Sequence, residues 1–188
     1  MGYFDDYVRS EAPGLRLEQL TAVHYQIPAA KVVVADPDGM LDGEALPAAA
    51  GFVEVDHQPT YPRSLTFVCS GTQTGKATVY GLDIGGNEIT EDVTLTSDTP
   101  VETNKAFAFV EKIKLPDKVA SETVDVGWGV KFALPYKIAT AGLVLVSLFN
   151  GATDAGTVTA NATDLAKNVY VPAGTPDGEK ALDFYFLV

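Results

Sequence analysis

Cysteine is nearly missing from this chain. Cys69 stands alone among 188 residues, which excludes an intrachain disulfide and any metal site built from several thiolates. Its neighbours, Ser64-Leu65-Thr66-Phe67-Val68, predict a small side chain buried in a strand. Histidine is scarce as well: His24 and His57 are the only two, and no Ser-His-Asp order or Glu-rich helix accompanies them. A nucleophile, a base and an orienting group cannot be assembled from that set, so the expectation is a chain that is not an enzyme. Basic residues are outnumbered, with 13 Lys and Arg against 25 Asp and Glu, a net charge of −12. Direct binding to nucleic acid is therefore disfavoured, since it needs a basic face from which counterions are displaced. Long apolar runs are absent too. The longest, Ala141 to Phe149, is strand length and far below the roughly 20 residues of a membrane helix, so no membrane partner is expected. The opening Met1-Gly2-Tyr3-Phe4-Asp5-Asp6 lacks the basic and then apolar regions of a signal peptide, which predicts synthesis in a cytoplasm.

Against these absences, 46% of the residues are hydrophobic and only 20% charged, enough apolar surface to form a core. The length suits one domain plus an arm. Residues 1–60 are broken by Pro13, Gly14, Pro28, Pro37, Gly39, Gly43, Pro47, Gly51 and Pro59, and read as an arm or small irregular subdomain. Within it, Leu15 to Tyr25 suggests a short helix and Lys31 to Ala35 a short strand.

From Tyr61 the texture changes, and residues 61–188 read as one sheet domain. In Thr123 to Leu134, bulky apolar side chains occupy every even position: Val124, Val126, Trp128, Val130, Phe132 and Leu134. Asp125, Gly127, Gly129, Lys131 and Ala133 lie between them, so period two gives one apolar face and one small or polar face. Comparable segments are Ser64 to Cys69, Ala77 to Ile84, Glu88 to Thr96, Ala106 to Leu115, Gly142 to Phe149, Gly156 to Ala162 and Ala181 to Val188. Gly85-Gly86-Asn87 and Pro176-Asp177-Gly178 supply tight turns. In Glu88 to Thr96, Thr90, Asp92, Thr94 and Thr96 point outward, with Ile89, Val93 and Leu95 opposite. The expected fold is all-β, an antiparallel β-sandwich or Greek-key barrel with an extended, mostly irregular N-terminal arm.

Motifs that could carry chemistry give way to plainer readings. Gly71-Thr72-Gln73-Thr74-Gly75-Lys76 is one residue short of a phosphate loop, has Ala77 where a Ser or Thr must reach magnesium, and opens a strand; it reads as a turn. Asp36, Asp38, Asp42 and Glu44 could offer oxygens to calcium, but their order is not that of an EF-hand and an acidic surface turn is expected. Asn161-Ala162-Thr163 is a formal glycosylation acceptor that reads as a polar pair on a strand. Trp128 belongs to the core by its alternation, with sugar stacking the alternative. No cofactor and no metal site is expected.

The segments YPRSLTFVCSGTQTGKATVYGLDIGGNEITEDVTL, NKAFAFVEKIKLP and TVDVGWGVKFALPYK together resemble a group of tailed-bacteriophage virion proteins that decorate or cement the capsid exterior. Pro62-Arg63, Gly81-Leu82-Asp83, Ile89-Thr90-Glu91, Lys105-Ala106-Phe107, Val126-Gly127-Trp128-Gly129 and Leu134-Pro135-Tyr136-Lys137 match that group's grammar in order, with Ala133 where it has Gly. Asp164 to Tyr185 looks like its C-terminal end. The resemblance implies a non-enzymatic virion protein on the capsid exterior, with the major capsid protein and its own copies, as a homotrimer, for partners. A tail or head-to-tail connector component is one alternative; a host-surface or carbohydrate-binding module is another. The expected interface residues lie in the arm: Tyr3, Phe4, Tyr7, Leu15, Leu17 and Tyr25.

Overall fold

The computed structural model describes residues 21–71 and 73–187. Five of the expected interface residues, Tyr3, Phe4, Tyr7, Leu15 and Leu17, lie outside that range. The described chain forms fourteen strands: β1 Ala22–Ile27, β2 Asp36–Ala45, β3 Gly51–Val53, β4 Arg63–Cys69, β5 Lys76–Leu82, β6 Glu88–Thr94 and β7 Val101–Glu102, followed by β8 Phe109–Leu115, β9 Thr123–Ala133, β10 Val144–Phe149, β11 Ala152–Thr153, β12 Thr157–Thr159, β13 Val169–Val171 and β14 Leu182–Leu187. Helical geometry among these residues is limited to three single 3₁₀ turns, at Ala29–Lys31, Ala141–Leu143 and Leu165–Lys167. The fold is the expected all-β one.

Three antiparallel sheets result. A terminal sheet runs β1-β14-β10-β11, a hairpin sheet runs β3-β8-β5-β6, and a central sheet runs β12-β13-β9-β4-β7 with β2 paired to β9. The hairpin between β5 and β6 closes at Gly86 (φ +77°), with the Asp83 carboxylate accepting from Gly85 and Asn87 N–H at 2.8 and 2.9 Å. This is the turn expected at Gly85-Gly86-Asn87.

Residues 22–53 add a strand to each sheet, through β1, β2 and β3. The helix expected over Leu15 to Tyr25 is not formed where the structure describes it, because Ala22–Ile27 is strand. The strand expected over Lys31 to Ala35 is displaced to Asp36–Ala45, after the 3₁₀ turn that ends at Lys31. The acidic surface turn is part of that same strand, which pairs Asp36 with Trp128 and Glu44 with Val124.

Strand β9 organises the molecule. One edge takes β4; the other takes β2 along Thr123 to Trp128 and β13 at Phe132 and Ala133. Val124 and Val126 enter a first core with Leu65, Phe67, Val79 and Ile113, whereas Phe132 and Ala133 enter a second with Ile27, Leu182, Phe184 and Phe186. Each fully buried Val, Leu or Phe contributes about 2 kcal/mol or more of hydrophobic stabilisation. The transfer between cores occurs at a bulge, since Leu65 pairs with Trp128 but Arg63 pairs with Phe132, leaving β9 two residues longer than β4 there. Trp128 is consequently half-buried and Val130 is 42% exposed, which interrupts the alternation. Side chains answer the bulge's free amides: Glu102 Oε1 accepts from Val130 N at 2.8 Å and Ser64 Oγ from Lys131 N at 3.1 Å.

Candidate interaction surfaces

In β14 the inner face is wholly apolar and the outer face carries Asp183, Tyr185 and Leu187. Leu182, Phe184 and Phe186 point inward and are fully buried, while Tyr185 points outward and is 40% exposed. Pairing sets Tyr185 beside His24 of β1 and Val146 of β10, and a register shift between Val144 and Val146 turns Leu145 out to 51% exposure. Leu148 and Leu187 flank this strip and are half-buried. The His24 ring stacks on Tyr185 with centroids 4.7 Å apart. His24 Nε2 lies 2.9 Å from Asp183 Oδ1, and Gln26 Nε2 donates to the same oxygen at 2.8 Å. The one carboxylate of this face is thus engaged, and the outer surface of the terminal sheet is an apolar strip beside a matched polar row.

Tyr25, the one expected interface residue within the described range, lies on the opposite side of β1. It is half-buried and packs against the second core. Its hydroxyl donates to Tyr61 Oη at 3.1 Å, and Tyr61 in turn donates to Ala133 O at 2.9 Å. Burial pushes the Tyr61 phenol well above the ordinary tyrosine range. Tyr25 therefore ties β1 to the core.

An open groove of about 440 Å³ is lined by Thr90, Glu91, Asp92, Asn104, Lys105 and Lys167. Its polar groups answer one another: Glu91 accepts from the backbone N–H of Asn104 and Lys105, both at 2.8 Å, and Lys105 Nζ donates to Thr90 O at 3.0 Å. That arrangement braces the 102–107 loop against β6.

The remaining candidates have structural surroundings. Among the described residues no three His, Cys, Asp or Glu side chains are grouped to hold a metal ion, and His24 and His57 are both exposed. Gln73 Oε1 accepts from Thr74 N and Gly75 N at 2.9 and 2.6 Å, so a side chain closes the turn before β5 where a phosphate loop would point its amides at a ligand. Asn161 is not on a strand: its Oδ1 accepts from Thr163 N and Asp164 N, closing a turn beyond β12. Trp128 packs its ring against Gly39 and donates from Nε1 to Val34 O at 3.2 Å.

Two features escape a sequence reading. The outer strip of the terminal sheet had a signal, since Tyr185 and Leu187 put large apolar side chains on the second face of β14. Arg63 had none: it is fully buried, lies 4.3 Å over the Phe132 ring, and donates once, to Val33 O at 3.0 Å. Its Nε and Nη2 are buried without a hydrogen-bond partner among the described residues. Burial pushes this guanidinium down to about 10, against the opposing pull of Glu102.

No family model, curated protein or solved structure matches this chain.

Proposed function

We propose that this chain is a non-enzymatic structural subunit that works by docking into a larger assembly, on the outside of a tailed-phage capsid, where it cements or decorates adjacent capsomers. The observation that carries the assembly reading is the outer face of the terminal sheet, where Leu145, Val146 and Tyr185 are exposed side by side on a rigid framework. Exposed apolar strips of this kind, rimmed by polar residues, mark interaction surfaces. The capsid position rests on the resemblance of the β4 to β9 region to decoration proteins. A net charge of −12 supports a basic partner surface and opposes direct contact with packaged DNA.

Quantitative mass spectrometry of purified virions tests the position: hundreds of copies per particle are expected for decoration, whereas six or twelve would favour the connector alternative. Particle binding by the full chain carrying Val146→Asp and Tyr185→Asp tests the face. Binding weakened at least about tenfold is expected, and unchanged binding would remove the terminal sheet from the proposal. A glycan screen with Trp128→Ala as control addresses the carbohydrate-module alternative. The hydrogen-bonded, half-buried position of that ring weighs against it.

A further inference from the structure

We infer that the chain self-associates as a two-fold dimer, rather than the homotrimer the resemblance implies, through the outer edge of β1, whose backbone, open among the described residues, and half-covered inner side chains pair with the same strand of a second copy. Sheet edges invite pairing unless they are short, charged or broken. The other edges of this protein are guarded in those ways: β11 and β7 have two residues each, and β3 and β12 have three. Strand β6 carries Glu88, Glu91 and Asp92, and β2 carries Asp36, Asp38, Asp42 and Glu44 along with two register breaks. Strand β1 is different, with six residues, Ala-Val-His-Tyr-Gln-Ile, and no proline, bulge or formally charged Asp, Glu, Lys or Arg.

Its inner side chains are also incompletely covered. On β14 the inward Phe184 and Phe186 are fully buried, yet Val23 and Tyr25, their neighbours on β1, are half-buried because nothing among the described residues lies beyond them. A second copy would complete that layer. No carboxylate lies on β1 itself, and Asp183, on the adjacent strand β14, is engaged by His24 and Gln26 although the chain as a whole carries −12.

Pleat parity fixes the register to a short choice, because inward residues must meet inward residues. Centring the two-fold on His24 sets Val23 opposite Tyr25 of the partner subunit and Tyr25 opposite the partner's Val23, so each half-covered side chain covers the other. With the axis normal to the sheet, both copies turn Leu145, Val146 and Tyr185 toward the same side. The eight-stranded sheet formed from two four-stranded ones would then double the docking strip. The pairing deepens the assembly reading, but its test needs no particle: dimerisation can fail while particle binding stands, and the reverse.

Sedimentation equilibrium of the full chain, with His24→Cys, His24→Lys and Val23→Lys variants and a chain lacking residues 1–20, decides the matter. The wild type is expected to dimerise in the micromolar range typical of modest interfaces. His24→Lys, which sets two ammonium groups face to face on an already exposed site, should weaken the dimer at least about tenfold without altering the circular dichroism spectrum. Val23→Lys, an inward charge at the edge, should do the same. His24→Cys should give a covalent dimer on mild oxidation, while the wild type, with only the buried Cys69, should not. A monomer at all concentrations, a trimer, or a dimer indifferent to both lysine variants would overturn the inference. So would a full chain that stays monomeric while the chain lacking residues 1–20 dimerises, since the first 20 residues would then be the occupant of the edge.

Discussion

Gly127→Ala should be among the most damaging single-methyl additions this protein can receive. A Cβ built at residue 127 would lie 1.8 Å from Asp36 O, with Pro37 C and Asp36 C at 2.6 and 2.7 Å. All three are backbone atoms, so no side-chain rotation relieves the clash. Reaching even the 3.0 Å that real Cβ atoms respect requires β2 and β9 to separate locally by 1.2 Å. Separation on that scale forfeits about two ladder hydrogen bonds, roughly 1 kcal/mol each, on top of the roughly 1–3 kcal/mol of ordinary overpacking. An expected loss of about 3–5 kcal/mol corresponds to a fall in Tm of roughly 6–20 °C for a chain of this size. Guanidinium denaturation followed by circular dichroism measures it, with a lowered midpoint at unchanged slope. Gly142→Ala is the control, because its nearest neighbour would be Thr140 Oγ1 at 3.9 Å; it should stay within about 0.5 kcal/mol of wild type. Gly129→Ala should fall between the two, since its clash, 1.9 Å from Glu102 Oε1, is with a side chain that also holds Ser64 Oγ and Val130 N. Equal midpoints for Gly127→Ala and Gly142→Ala would refute the close approach of β2 to β9.

Three further outcomes follow from buried polar groups. Tyr61 and Tyr170 are both raised by burial, Tyr170 to about 12, so the fold keeps them protonated while the unfolded chain ionises near its ordinary value of 10. Their contribution is complete below pH 10 and is lost as pH rises above it, so stability should fall in that window and Tyr61→Phe should flatten the fall; absorbance titration at alkaline pH, with two tyrosines ionising only on unfolding, checks it. Arg63→Met should leave stability within about 1 kcal/mol of wild type or raise it, because a buried guanidinium with one hydrogen bond gains little against its desolvation; a thermal melt more than about 10 °C lower would show that the cation over Phe132 stabilises the fold. Cys69 is 1% exposed, and burial, with Glu122 nearby, pushes its thiol up. Thiol labelling of the native protein should therefore be slower than in denaturant by orders of magnitude and should track unfolding; rapid labelling in the native state would contradict that burial.

The strands after Tyr61 were legible because alternation and turn chemistry agree there. Ser64 to Cys69, Glu88 to Thr96 and Thr123 to Leu134 recur as Arg63–Cys69, Glu88–Thr94 and Thr123–Ala133. Earlier strands were hidden for different reasons. β1 carries period two at Val23, Tyr25 and Ile27, but Leu15, Leu17 and Leu20 before it extend the apolar spacing into something helix-like. β2 is composed of Asp, Gly and Pro, residues that avoid strands, and it forms because β9 offers it an edge made smooth by Gly127. The small or polar face of β9 is covered, with Gly127 buried under the Asp36 backbone and Gly129 under Glu102. A row of glycines on the polar face of a strand thus signalled close approach by other chain segments. The acidic cluster misled for the same reason, since composition at Asp36 to Glu44 says turn and only the partner strand says otherwise.

The residues matched to the decoration-protein pattern are divided between core and surface, with Thr90 and Lys137 exposed. Arg63, Ala106, Phe107 and Leu134 are all fully buried. They join the seam between the two cores, where Arg63 and Phe107 exchange backbone hydrogen bonds at 3.1 and 2.8 Å, Ala106 N reaches Ala166 O at 2.8 Å and Leu134 N reaches Asn168 O at 2.8 Å. Asn168 completes the seam by accepting from Asn161 N and Ile138 N and donating to Asp164 O. These four positions therefore serve the architecture, in which one long strand passes from core to core and loops meet it at fixed points. Leu145, Val146, Tyr185 and the edge of β1 are places where a sheet framework has no need of apolar or uncharged residues, and the proposed docking and pairing rest on them.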